Sequence, residues 1–182
     1  LVSQYSGQDS AIRFPDLLSN SRQDNLLLGH RRLSILDLTS AGHQPMGYAN
    51  DRYWLVFNGE IYNYQSLKQQ LDTKGYLFKS STDSEVLLAA HMCWESDLPR
   101  HLDGMWSYVI YDTVKKTLFG ARDRLGVKPL YYSRKHGVFS FASEAKALLV
   151  LPWVSKNCDL TELASYLTSG SDFCGEHTFF SD

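Results

Sequence analysis

Asn58 and Gly59 stand side by side in a run of aromatic and apolar residues, Tyr53-Trp54-Leu55-Val56-Phe57-Asn58-Gly59-Glu60-Ile61-Tyr62-Asn63-Tyr64. A side-chain amide N–H and a neighbouring backbone N–H unobstructed by a Cβ are two donors suited to a developing oxyanion. The same dipeptide has a plainer reading. Asn-Gly tolerates the positive φ of a type I′ turn and marks two-residue hairpins. The run alone leaves both open.

Three charged residues extend the first reading. Arg32 lies in an otherwise apolar stretch, and its planar, permanently charged fork suits a carboxylate. It would equally serve as a snorkelling or structurally paired arginine. Asp83 falls in the first turn of an expected helix, where the dipole favours an anion whether or not it meets a substrate ammonium. Glu60, next to Gly59, would help with that ammonium or simply be solvated at a turn. A cation for a carboxylate, anions for an ammonium and paired donors for an oxyanion complement an amino acid with a reactive side-chain carbonyl. Spacing does not show that they converge.

Other chemistries fit poorly. Cys93, Cys158 and Cys174 have no C-x-x-C spacing, and the six histidines are scattered, so a zinc site is not expected and a reducing, cytoplasmic setting is the default. Ser169-Gly170-Ser171-Asp172 is a weak match to the S-G-G-x-D-S loop of ATP pyrophosphatases. It lacks the second Gly and follows a helix rather than a strand, and reads as linker. Neither a G-x-x-x-x-G-K-[ST] loop nor a G-x-S-x-G elbow occurs.

The elements that must position these residues follow from pattern. Residues 1–24 are polar and irregular. Leu26–Gly29 and Leu33–Leu38 read as short strands, with Leu33 and Ile35 on one face. Residues 39–46 form a loop. After Asn58-Gly59, Tyr64, Leu67 and Leu71 recur at helical spacing, and Gly75 ends that helix. Leu77–Lys79 reads as a short strand. Thr82-Asp83-Ser84-Glu85 has capping-box spacing and opens a helix to about Trp94. Strands are expected at Trp106–Asp112, Thr117–Ala121, Leu130–Tyr132 and Val138–Ala142, with short helices at Ser143–Leu149 and Leu160–Leu167. This is an α+β pattern of sheets packed together with helices outside.

Composition bounds the rest. A chain of 182 residues, 43% hydrophobic and 13% aromatic, can bury one full core and is not of disordered composition. A net charge of −2 with mixed signs argues against nucleic acid as partner. No apolar run reaches the ~20 residues of a membrane span. The N-terminus has neither the basic nor the apolar region of a signal peptide.

Seven ordered blocks then carry a resemblance: Gly29–Leu38 (GHRRLSILDL), Ala41–Met46 (AGHQPM), Phe57–Asn63 (FNGEIYN), Asp83–Leu88 (DSEVLL), Gly104–Trp106 (GMW), Ala121–Tyr132 (ARDRLGVKPLYY) and Ala142–Leu148 (ASEAKAL). Together they closely resemble the N-terminal glutaminase domain of glutamine-dependent asparagine synthetases, a class II glutamine amidotransferase. The resemblance implies the N-terminal nucleophile hydrolase fold, an αββα sandwich of two mainly antiparallel sheets, here lacking its first strand. It implies an irregular segment over 1–25, the amidotransferase domain over 26–158 and a connector over 159–182 toward an absent synthetase domain. It also implies release of ammonia from glutamine. Arg32 matches the residue holding the α-carboxylate, and Leu33, Ser34, Ile35 and Leu36 match the strand lining the pocket. Asn58 and Gly59 match the oxyanion donors, and Glu60 and Asp83 the surroundings of the α-amino group. This favours the oxyanion reading over the hairpin. Arg122–Pro129 is then structural, or a face toward a second domain.

The resemblance implies no cofactor in this domain. ATP and magnesium belong to the synthetase domain, which with glutamine is the implied partner, and a homodimer is an open alternative. The family's nucleophile is a Cys at the mature N-terminus, whose α-amino group, with a pKa near ~8, serves as base. Here the first residue is Leu1, and Tyr5-Ser6-Gly7-Gln8-Asp9 keeps only Gly and Asp of the family's H-R-G-P-D segment. The chain as written is therefore expected to be inactive. It is either a fragment numbered from beyond the nucleophile or a non-catalytic pseudo-glutaminase that binds glutamine or a partner.

Overall fold

The computed structural model describes residues 26–31, 42–170 and 177–181. Its centre is an antiparallel sheet. Strand β1 (Met46–Tyr48) pairs only with the first three residues of β2 (Tyr53–Ile61). Strand β3 (Gly104–Asp112) lies along the whole of β2, from Tyr53 opposite Asp112 to Ile61 opposite Gly104. Strand β4 (Thr117–Arg122) completes the order β1-β2-β3-β4. Strands β5 (Tyr131–Lys135) and β6 (Val138–Ala142) form a separate pair.

Alternation along β2 and β3 sorts their side chains onto two faces. Tyr53, Leu55, Phe57 and Ile61 join Trp106, Tyr108 and Ile110 in the core cluster, against helices α1 (Tyr64–Thr73) and α2 (Asp83–Trp94). Helix α1 contributes Leu67 and Leu71, and α2 contributes Val86, Leu87, Leu88, Ala89 and Ala90. Leu55, Leu71 and Leu88 are fully buried, and truncating any of them to Ala costs about 2–5 kcal/mol. A 3₁₀ stretch over Glu95–Arg100 returns the chain to β3. The opposite face of β2 and β3, carrying Val56, Asn58, Ser107 and Val109, looks toward Phe141 and Ala142 of β6 across a cavity. Helices α3 (Ala145–Leu148) and α4 (Leu160–Ser169) follow.

Local signals explain the helix ends. Thr82 Oγ1 accepts the Glu85 N–H at 3.3 Å, as an N-cap. Past α1, Lys74 is the cap and Gly75 takes a φ of +86°, a conformation glycine adopts at no steric cost. Asp159 caps α4 by accepting the N–H groups of Thr161 and Glu162.

Several expectations are corrected. The Asn58-Gly59 pair is no hairpin turn: both residues lie inside the continuous β2–β3 ladder. Leu26–Gly29 is not a strand, and Leu27 is 48% exposed. Leu77–Lys79 is not a strand either. The Lys79 and Ser80 N–H groups are taken by the Glu85 carboxylate instead of a ladder. That carboxylate is thus turned away from the reciprocal arm of a capping box. The strand expected at Leu33–Leu38 lies outside the described residues. No described helix is long and apolar enough to cross a membrane.

Candidate active site

The ladder decides where the Gly59 N–H points. In an antiparallel pair, opposed residues alternate between exchanging hydrogen bonds and facing away from each other. Gly59 lies opposite Trp106. The Trp106 N–H donates to Asp123 Oδ2 at 3.2 Å and its carbonyl accepts the Asp123 N–H at 2.7 Å. Trp106 therefore turns its backbone toward the Asp123 side, and Gly59 turns its own to the other edge of β2. Beyond Leu55, β1 no longer covers that edge.

The edge groups on either side of Gly59 are held by side chains. The Phe57 N–H donates to Gln44 Oε1 at 2.6 Å, and the Phe57 carbonyl lies 2.9 Å from His30 Nε2. The Ile61 N–H donates to Asp83 Oδ2 at 3.2 Å. Gly59 sits between them, and among the described residues its N–H has no such acceptor. Its φ of +147° lies in the region that favours glycine, and a Cβ there would overlap the Met105 carbonyl oxygen and Trp106 Cα. The backbone at this position therefore accepts only glycine without rearrangement.

Asn58 projects from the other side of the strand into the cavity, about 190 Å³, that it shares with Gly29, His30, Ser107, Phe141 and Ser143. Ser107 is its direct cross-strand partner and donates its hydroxyl to the Pro129 carbonyl at 3.1 Å. Pro129 ends the Arg122–Pro129 loop, which is internally bonded. The buried Asp123 carboxylate accepts the N–H groups of Leu125, Val127 and Lys128, and Arg122 donates to the carbonyls of Gly126 and Lys128. Burial alone would raise the Asp123 pKa, but these backbone bonds outweigh it and hold it below the ordinary value.

Asp83 stands at the first residue of α2 and is 6% exposed. Burial pushes its carboxyl up from the ordinary value. The Ile61 and Ser84 N–H groups oppose that rise, and the neighbouring Glu60 charge adds to it. Asp83 and Glu60 therefore place carboxylates near each other just beyond Gly59. Asp83 does not line the cavity that Asn58 lines. Arg32, Leu33, Ser34, Ile35 and Leu36 lie outside the described residues.

Residues 4–182 match the family of the glutamine amidotransferase domain. The chain belongs to this family. It is 38% identical over 160 residues to the glutamine-hydrolysing asparagine synthetase 3 of Bacillus subtilis (strain 168), covering 87% of this chain and 26% of that protein. It is 38% identical over 138 residues to the glutamine-hydrolysing asparagine synthetase B of Escherichia coli (strain K12), covering 75% and 24%. This amidotransferase domain chain thus spans about a quarter of the length of those relatives. Among solved structures it resembles the glutamine phosphoribosylpyrophosphate amidotransferase from B. subtilis complexed with ADP and GMP, with a TM-score of 0.56 and 26% identity over 66% of this chain and 28% of that one. The N-terminal nucleophile hydrolase fold expected from the seven blocks is the fold observed, with antiparallel sheets and flanking helices.

Sequence reasoning gave no role to three residues at this site. Gln44 and His30 fall inside blocks that carry the resemblance, AGHQPM and GHRRLSILDL, but their contacts with Phe57 depend on where the loops lie. Ser107 had no signal, because its meeting with Asn58 is a matter of register.

Proposed function

We propose that this domain binds free L-glutamine and presents its side-chain carboxamide for hydrolysis to glutamate and ammonia. The carbonyl oxygen would sit at the Asn58 amide and the Gly59 N–H. Attack converts that oxygen to an oxyanion, and donors already aimed at it stabilise the charge without reorganising. Arg32 would grip the α-carboxylate with Leu33, Ser34, Ile35 and Leu36 beside it, while Glu60 and Asp83 would face the α-ammonium. The observation that carries this reading is the Gly59 N–H, without an acceptor among the described residues, between two held neighbours and next to Asn58. The ammonia would serve an ATP-dependent amidation of the asparagine synthetase type, carried by a partner synthetase domain.

Hydrolysis needs a nucleophile at the donors. Cys93 Sγ lies 3.3 Å from Lys74 Nζ and Cys158 Sγ is beside the Asp159 carbonyl, and neither lines the Asn58 cavity. In this reading the thiol belongs to an N-terminal Cys, and a polypeptide of residues 1–182 alone binds glutamine without turning it over. A second reading is a pseudo-glutaminase that binds and does not catalyse, since neither cysteine among the described residues lines the Asn58 cavity.

Calorimetric titration with L-glutamine tests the pocket. Binding is expected for the wild type, with at least tenfold weaker binding for Arg32→Ala, since a charge-assisted bond contributes about 1.5–3 kcal/mol. A wild type that takes up no glutamine would end the proposal. Glutamate release from glutamine by the 1–182 polypeptide would contradict the role given to an N-terminal thiol. The native protein that carries this domain separates the two readings: glutamate release supports hydrolysis, and binding without release supports the pseudo-glutaminase.

A further inference from the structure

We infer that Gln44 is a positioning residue, which fixes the Gly59 N–H for the substrate carbonyl oxygen by holding the preceding edge group of β2. The inference rests on the glutamine-binding reading above. Past Leu55 the edge of β2 has no partner strand among the described residues, so there the peptide groups bearing the N–H of Phe57, Gly59 and Ile61 are held by the sheet from the β3 side alone. Gly59 is the residue best able to rotate, having no Cβ and an unusual φ. Among the described residues, what holds the open edge on either side of it is a pair of clips, Gln44 on the Phe57 N–H and Asp83 on the Ile61 N–H. The Gln44 clip is the shorter, 2.6 Å against 3.2 Å.

Gln44 suits this task chemically. Its Oε1 accepts the Phe57 N–H, while its Nε2 makes a long bond of 3.4 Å to Ser84 Oγ, at the start of α2 beside Asp83. The Ser84 hydroxyl in turn lies 3.5 Å from Asp83 Oδ1. Both clips are therefore anchored at the N-terminus of one helix. His30 Nε2 lies at the Phe57 carbonyl, on the next peptide group along the same edge. A donor held this way needs no reorganisation when the carbonyl arrives, which is the condition for it to contribute strongly.

The test compares wild type with Gln44→Met, which removes the acceptor, Gln44→Asn, which is too short to reach Phe57, and Gln44→Glu, which keeps an acceptor oxygen. Two quantities are read: the dissociation constant for L-glutamine, and hydrogen exchange of the Gly59 amide at saturating glutamine. Gln44→Met and Gln44→Asn should bind about tenfold more weakly and lose the glutamine-dependent protection at Gly59. Gln44→Glu should bind within about threefold of wild type and regain that protection. If either acceptor-deficient variant binds as wild type, or binds weakly yet keeps Gly59 protected, the positioning role is overturned. If Gln44→Glu behaves like Gln44→Met, it is overturned as well. A wild type that binds no glutamine, or binds it with Gly59 unprotected, overturns the reading of the site itself and this inference with it.

Discussion

Asp83 Oδ2 accepts the backbone N–H of Ile61 at 3.2 Å, and so ties the start of α2 to the end of the strand that carries Asn58 and Gly59. The tie has an electrostatic cost. Asp83 is buried, its carboxyl is pushed above the ordinary value by that burial, and the Glu60 charge pushes the same way. A carboxyl whose folded pKa is raised binds its proton more tightly folded than unfolded. Stability therefore falls as pH rises from the unfolded value near 3.8 through the raised folded value. Above that window the ionised Asp83 is a liability.

Asp83→Asn keeps an acceptor oxygen for Ile61 and removes the charge. At pH 7 the variant should melt about 2–4 °C higher than wild type, and the gain should vanish below the window. Its affinity for glutamine should fall at least tenfold if Asp83 faces the ammonium. Thermal melts at pH 7 and pH 3.5, with titration at pH 7, measure both effects. An unchanged affinity would remove Asp83 from the site.

Gly59→Ala tests the backbone geometry. The added Cβ meets main-chain atoms of Met105 and Trp106, which cannot swing aside as a flexible side chain would. The φ of +147° is strained for alanine in any case. A loss of about 3 kcal/mol is expected in urea unfolding, with glutamine binding lost along with it. Wild-type stability in the variant would mean that Gly59 does not lie against Met105 and Trp106 in the β2–β3 ladder.

How far these relationships were legible differs from residue to residue. Tyr53–Phe57 reads as a strand because four of its five residues are aromatic or β-branched, a local property. Thr82 and Gly75 read as helix ends because capping chemistry is local too. The passage of β2 straight through Asn58-Gly59 was not legible from the dipeptide. Its fate is set by β3, about fifty residues later, whose full-length ladder offers more than a two-residue turn. Leu77–Lys79 has strand character, but the Lys79 N–H goes to the Glu85 carboxylate, a contact made across the start of α2 rather than to a partner strand. At the site, residue types suggested Asn58, Gly59, Glu60 and Asp83, and the family blocks implied the roles proposed for them. The edge clip by Gln44 needed three-dimensional placement of the loop before β1.

Asp123→Ala should destabilise the domain through the loop that underlies Ser107. The carboxylate holds the N–H groups of Trp106, Leu125, Val127 and Lys128, and these lose their acceptor together. A loss of about 3 kcal/mol or more is expected, since several bonds to one buried charge are removed. The folded pKa of Asp123 is depressed, so its contribution is fully present above the unfolded value near 3.8 and fades as pH falls toward the folded one. The difference between wild type and Asp123→Ala in urea midpoints should therefore be constant from pH 5 to pH 8 and shrink below pH 3.8. A midpoint unchanged by the substitution at pH 7 would show that the loop is held by other contacts.

His91 predicts a third pH response, in the last turn of α2. Its ring lies in the core between Tyr53, at 5.7 Å, and Phe119, at 5.2 Å. Burial lowers its pKa, and Lys115 adds to that, while Glu95 and Asp112 pull it back up without cancelling it. The folded state thus favours neutral imidazole, and the unfolded chain takes up a proton near pH 6.5. Stability is lost as pH falls through that value toward the folded pKa, the opposite sense to Asp83 and a higher pH range. His91→Phe fills the aromatic slot with a ring that does not titrate. Its melting temperature should be nearly flat between pH 7 and pH 5.5, where the wild type declines. Equal slopes in the two proteins over that interval would show that His91 is not the group responsible.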